Sequence, residues 1–153
     1  MIHRFLPAAI LLAGALALPG PGPAGAQTRP KPKARPAAAG APAPALLAQG
    51  KQVYTQYCLS CHQADGGGVQ NINPPLIKTT YVLGDKARLT NILVHGFAEK
   101  VAINGETYNN VMPAHDFLTD AQMAAVLTYV RNSFGNKASA ISVAEVKTIR
   151  ASK

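Results

Sequence analysis

Cys58-Leu59-Ser60-Cys61-His62 is the stretch on which the reading of this chain turns. Two thiols three residues apart, followed at once by an imidazole, form the attachment signature of covalent c-type haem. The spacing has a geometric reason. On one turn of helix running into a loop, Cys58 and Cys61 point the same way, so both sulfurs can reach the two vinyl groups of one porphyrin. His62 follows closely enough to offer a ring nitrogen to the iron. These are the only two cysteines of the chain, so none is left for a disulfide. Two other chemistries share a bare C-x-x-C: a thioredoxin-like redox pair and half of a zinc site. Neither finds its context, because there is no second C-x-x-C or H-x-x-x-H to complete a zinc cage and no βαβ pattern around the pair.

Outward from the motif toward the N-terminus, residues 45–57 read as a helix. Leu46, Gly50, Val53, Tyr54 and Tyr57 fall on one face. Gly50 on that face lets a second helix backbone approach closely. Before it, residues 27–44 are Pro, Ala, Gly, Lys and Arg with nothing bulky to bury, the composition of an extended linker. Residues 1–26 have a basic start, an apolar run from Phe5 to Leu18 and a small-x-small site at Ala24-Gly25-Ala26, which is the pattern of a cleaved secretory leader. The apolar run is shorter than the ~20 residues a spanning helix needs. Export to the bacterial periplasm is therefore expected, and tethering to the membrane by an uncleaved N-terminal segment is the alternative.

On the other side of the motif, Asp65-Gly66-Gly67-Gly68 allows the chain to bend, and Asn73-Pro74-Pro75-Leu76 is extended with free carbonyls. An iron-bound imidazole usually donates its second N–H to such an acceptor, and Pro75 is the expected one. Residues 79–83 form a short helical or turn segment, and residues 86–94 a second helix stopped by His95-Gly96. Val101-Ala102-Ile103-Asn104-Gly105-Glu106-Thr107-Tyr108 carries the Asn-Gly turn of a two-residue hairpin. It leads into Met112-Pro113. Most methionines fill cores, as Met123 is expected to, but Met112 lies in an extended polar loop and can swing its thioether toward the open face of the iron. His95 and His115 are its rivals for that position.

Thr119-Asp120-Ala121-Gln122 is a capping box. The helix it opens carries Met123, Val126, Leu127, Val130 and Phe134 on its apolar stripe and ends at Gly135. Ser142-Val143-Ala144-Glu145 is a second capping box, opening a short helix within a basic tail at residues 137–153. The net charge of +8 resides in the leader, the linker and this tail, whereas residues 45–136 balance six basic against six acidic residues. That distribution argues against nucleic acid as a partner and limits membrane contact to a peripheral one through the basic tails.

Over residues 46–136 these features resemble the class I cytochrome c family: a helix with Gly50 and Tyr54, then CLSCH, Pro75-Leu76, Met112-Pro113 and a terminal helix ending LTYVRNSFGN. The resemblance is closest to small monohaem domains of bacteria. It implies an all-α cytochrome c fold of three to four helices around one covalent haem c, here with a short β-hairpin before the methionine loop. The haem would be bound through Cys58 and Cys61, with His62 and Met112 as axial ligands and Pro75 behind His62. It further implies single-electron transfer between redox proteins (a dehydrogenase, a reductase or a terminal oxidase) without catalysis of its own. A haem sensor or peroxidase in which Met112 leaves the iron, and a haem-free thiol–disulfide protein, are the competing readings.

Overall fold

The computed structural model describes residues 41–152; the leader and the linker up to residue 40 lie outside the described residues. Six helices and one hairpin follow in order: α1 Pro44–Tyr57, α2 Leu59–His62, α3 Thr80–Leu83, α4 Lys86–His95, β1 Val101–Ile103, β2 Glu106–Tyr108, α5 Asp120–Asn132 and α6 Val143–Ala151. Three to four helices were expected. Besides α1, α4 and α5, the expected short segment at residues 79–83 is α3 and the expected short tail helix is α6; the one addition is the single turn α2, and α2, α3 and α6 are each too short to stand without tertiary packing.

Local chemistry sets most of the boundaries. Pro44 occupies the first turn of α1, where a missing N–H costs nothing. The side chains of Thr79, Asp85, Thr119 and Ser142 each accept a backbone N–H at the start of α3, α4, α5 and α6, and both expected capping boxes are complete. One stop differs from expectation. Helix α5 ends at Asn132 rather than at Gly135, and Ser133 is already extended. Asn136 explains the early stop: its side-chain amide donates to the carbonyls of Val130 (2.8 Å) and Leu76 (2.9 Å) and accepts from the Lys78 N–H (2.7 Å). Phe134 then adopts φ 58° and folds its ring back against Tyr54 and Tyr129, at centroid distances of 5.3 and 5.7 Å.

The scaffold is the crossing of α1 over α5. Gly50 sits at the contact, where any Cβ would overlap the carbonyl oxygen of Ala125. Tyr54 and Val53 from α1 join Met123, Val126, Leu127 and Val130 from α5 in one apolar cluster, which α4 extends with Leu89 and Leu93.

Residues 137–152, expected as a basic tail with a short helix, pack onto the domain. Ile141 and Val146 are fully buried. The Thr128 hydroxyl donates to the Ile141 carbonyl (3.2 Å) and accepts its N–H (2.9 Å). Arg131, 3% exposed, donates to the carbonyls of Ser139 (2.9 Å) and Val82 (2.6 Å), and Arg150 clamps Asp120 and the Leu118 carbonyl. Two ion pairs dock this stretch: Lys86 of α4 reaches Glu145 of α6, and Arg150, one of the basic residues of the tail, reaches back to α5.

The Lys86–Glu145 pair gives acid stability a definite sign. Lys86, at 2.8 Å, is the main cause that holds the Glu145 carboxyl down at about 2, with the Ser142 cap adding to it. A depressed carboxylate stabilises the fold above its unfolded value of 4.5, and that contribution disappears as the pH falls toward about 2. Because the pair is partly solvent-exposed, the effect is modest. In denaturation series between those two pH values, wild type is expected to lose more stability than Glu145→Gln; equal losses would contradict the pairing.

Candidate haem site

Helix α1 delivers the motif. Cys58 caps α1 through its N–H to the Tyr54 carbonyl (2.9 Å), and its own carbonyl accepts from Cys61 N (3.2 Å) and His62 N (2.9 Å). One helical turn therefore puts Cys58, Cys61 and His62 on a single face, as positions i, i+3 and i+4. Gln63, at φ 63°, then reverses the chain, and the buried Tyr54 hydroxyl fixes that reversal by donating to the Gln63 carbonyl (2.6 Å).

All three side chains open onto one hollow of about 1230 Å³, its open mouth included. Val82, Leu89, Leu93, Val126, Leu127 and Val130 make its inner walls. Across from the motif lies the loop after the hairpin. Met112 is half-buried and its backbone exchanges two hydrogen bonds with Phe97, of 2.9 and 2.8 Å. Gly96 makes this approach possible: at φ 77°, a Cβ there would stand 2.6 Å from the Met112 carbonyl oxygen. Met112 lines the hollow together with His62.

His62 is buried, and its Nδ1 lies 3.1 Å from the carbonyl oxygen of Pro74. Pro75 was the expected acceptor; it lines the hollow too, but the bond goes to its neighbour. Successive carbonyls of an extended segment point to opposite sides, so only one of the two prolines can face the ring. The Val69–Asn73 bridge and the Leu76 N–H to Gly66 carbonyl bond (2.8 Å) set which one. A carbonyl accepts only, so Nδ1 donates and the lone pair stays on Nε2. Burial depresses the basicity of His62, against the opposing pull of the Pro74 bond, and nearby His115 lowers it further. The ring is therefore held neutral, as a metal ligand must be. Burial, with Cys61 adding to it, pushes the Cys58 thiol up to about 11. A redox-active C-x-x-C pair needs the opposite shift, which argues against a thiol–disulfide protein.

The hairpin does more than decorate the domain. Its turn residues Asn104 and Gly105 have φ 54° and 86°, as a two-residue turn requires. Val101, Ile103 and Tyr108 line the hollow, and hydrogen bonds from Gln70 to Glu106 (3.2 Å) and from Asn110 to Asn73 (2.8 Å) fasten it to the loop beyond the motif. Of the rival histidines, His95 is exposed at the end of α4 and away from the hollow, whereas His115 is buried and lines it. Met123 is core, fully buried. The hairpin wall and the role of Gly96 left no motif in the sequence; only the glycine after a helix end hinted at a close approach.

A helical shell around an apolar hollow, with two thiols and a carbonyl-bound imidazole on one wall and a thioether on another, fits a covalently attached haem. The apolar walls suit the faces of a porphyrin. The family model described as "Cytochrome c" matches residues 47–134. Cytochrome c-552 of Thermus thermophilus is 30% identical over 115 residues, covering 69% of this chain and 87% of that protein. The cytochrome c subunit of the quinone alcohol dehydrogenase of Gluconacetobacter polyoxogenes is 33% identical over 104 residues, and the fructose dehydrogenase cytochrome subunit of Gluconobacter japonicus 31% over 108. The chain spans 22% of the length of each of these two subunits. The chain belongs to the class I cytochrome c family: it is an electron-transfer cytochrome that takes covalent haem c.

Proposed function

We propose that the chain is a periplasmic single-haem electron carrier in which Cys58 and Cys61 form the thioether links, and His62 and Met112 hold the iron from opposite sides. The observation that carries this reading is the convergence of His62, already bonded to Pro74 through Nδ1, and Met112 on one apolar hollow from separately anchored walls. Bound haem supplies a one-electron couple. The residues do the rest. Pro74 fixes the tautomer of His62 and makes it a better donor. The Phe97 pairing positions Met112, and a thioether in that place favours the reduced state over what a second imidazole would give. With His62 and Met112 both engaged as ligands, no position would be left for a substrate, which supports a carrier rather than an enzyme. The apolar walls exclude water, which keeps reorganisation small.

The partners of such a carrier are other redox proteins. The likeness to cytochrome subunits of alcohol and fructose dehydrogenases supports a dehydrogenase as the electron donor, met through a small transient contact. The leader expected at residues 1–26 supports export, and no helix among the described residues is long and apolar enough to cross a membrane.

Met112→Ala tests the axial pair. Axial ligands set haem potentials over a span of about 0.8 V, so the variant is expected to lose the sulfur-to-iron band of the ferric spectrum and to fall in potential by on the order of a tenth of a volt. Redox titration followed by absorption checks both. A retained band and an unchanged potential would contradict the assignment.

A further inference from the structure

His115 repeats the local arrangement of His62. Both imidazoles are 8% exposed, and both line the same hollow. Each places Nδ1 against the carbonyl of a proline: Pro74 at 3.1 Å for His62 and Pro113 at 2.9 Å for His115. In each case the carbonyl can only accept, so Nδ1 donates, and the neutral tautomer this bond selects is the one with its lone pair on Nε2. A backbone carbonyl behind the far nitrogen is the usual support of a metal-bound histidine.

Packing does not account for this residue. The only hydrogen bond of the His115 ring among the described residues is the one at Nδ1, which leaves Nε2 without a protein partner in a residue that lines an apolar hollow, a place phenylalanine or leucine would fill without a polar atom. The ring is also held in place. Its backbone N–H donates to the Leu93 carbonyl (2.9 Å), and it stacks at 5.6 Å on Phe117, which in turn meets Tyr57 at 5.2 Å. Met112, three residues earlier, is fixed to Phe97 at the other end of the same short strap. One strap thus presents a thioether and an imidazole to a single hollow.

We propose that His115 is a reserve axial ligand, which takes the place of Met112 when the thioether lets go of the iron. This rests on the His62/Met112 reading and goes beyond it. In the exchange the Met112 thioether would leave the iron with its lone pair, and Nε2 of His115 would supply its own pair in its place. No electron is gained or lost. Starting from the neutral ring with its proton on Nδ1, no proton moves either. The product is a bis-histidine site of lower potential. Loss of the thioether would then switch the carrier to a closed, low-potential form, where an open position would admit peroxide or carbon monoxide.

The test compares holo Met112→Ala with Met112→Ala/His115→Phe and Met112→Ala/His115→Gln, the last retaining a donor for the Pro113 carbonyl. Each is made with 15N-labelled histidine and read by ferric EPR, pulsed EPR and carbon monoxide binding. The single variant is expected to be low-spin with two coordinated imidazole nitrogens and to resist carbon monoxide. Both double variants are expected to lose one imidazole, become high-spin and bind carbon monoxide readily. A high-spin single variant with one imidazole would overturn the proposal, as would a bis-imidazole spectrum that survives both substitutions at His115. Wild type already showing two imidazoles and no sulfur-to-iron band would overturn the Met112 assignment instead, a distinct failure.

Discussion

With Cys58 and Cys61 both changed to serine and any loosely held haem extracted, the chain is expected to be colourless and to lose most of its helical circular dichroism. The reason is where the apolar surface points. Val82 of α3, Leu89 and Leu93 of α4, and Val126, Leu127 and Val130 of α5 belong to the buried cluster and also line the hollow, so the one core of the domain is shared between protein packing and the cofactor's place. A domain of this size has little hydrophobic stabilisation to spare. Helices of 4, 10 and 13 residues do not persist in water without packing. Far-UV circular dichroism of the extracted double variant measures this directly. A native-like spectrum with cooperative unfolding would mean that the protein core suffices alone.

Gly50→Val should destabilise the holo protein by about 3–5 kcal/mol, near the top of what single substitutions do. The added Cβ would meet the backbone carbonyl of Ala125 and stand 2.5 Å from the Cβ of Tyr129. Neither is the yielding end of a flexible side chain, so α1 and α5 must separate. Separation opens the cluster around Tyr54 and shifts the helix that delivers Cys58. Even Gly50→Ala, which gains about 1 kcal/mol of helix propensity, should lower the midpoint of denaturant unfolding. A midpoint equal to or above that of wild type for Gly50→Ala would show that the crossing is looser than described.

Much of this was legible in the sequence because the chemistry is local. The haem motif, the two capping boxes, the Asn-Gly turn and Gly50 on an apolar face are each decided by residues within one or two turns of each other. What was not legible depends on contacts between distant residues. Pro74 and Pro75 look alike as acceptors until the Val69–Asn73 bridge sets the orientation of the segment. The early end of α5 depends on Asn136 reaching the Leu76 carbonyl across 60 residues. Where the basic C-terminal stretch docks was not legible because its partners, Asp120 and the Leu118 carbonyl for Arg150, lie about 30 residues away. His115 was one histidine among four in the sequence; only burial and the Pro113 bond distinguish it from exposed His95.

One measurement bears most directly on the central claim, that one haem is held by two sulfurs, an imidazole and a thioether. The mature chain, produced in a cell able to attach the cofactor, is weighed intact by mass spectrometry, and its ferric and ferrous spectra are recorded on the same sample. The expected result is a mass increased by a single haem that survives denaturation, a sharp low-spin α band on reduction, and a sulfur-to-iron band on oxidation that disappears in Met112→Ala. A colourless chain of unmodified mass with two free thiols would contradict it.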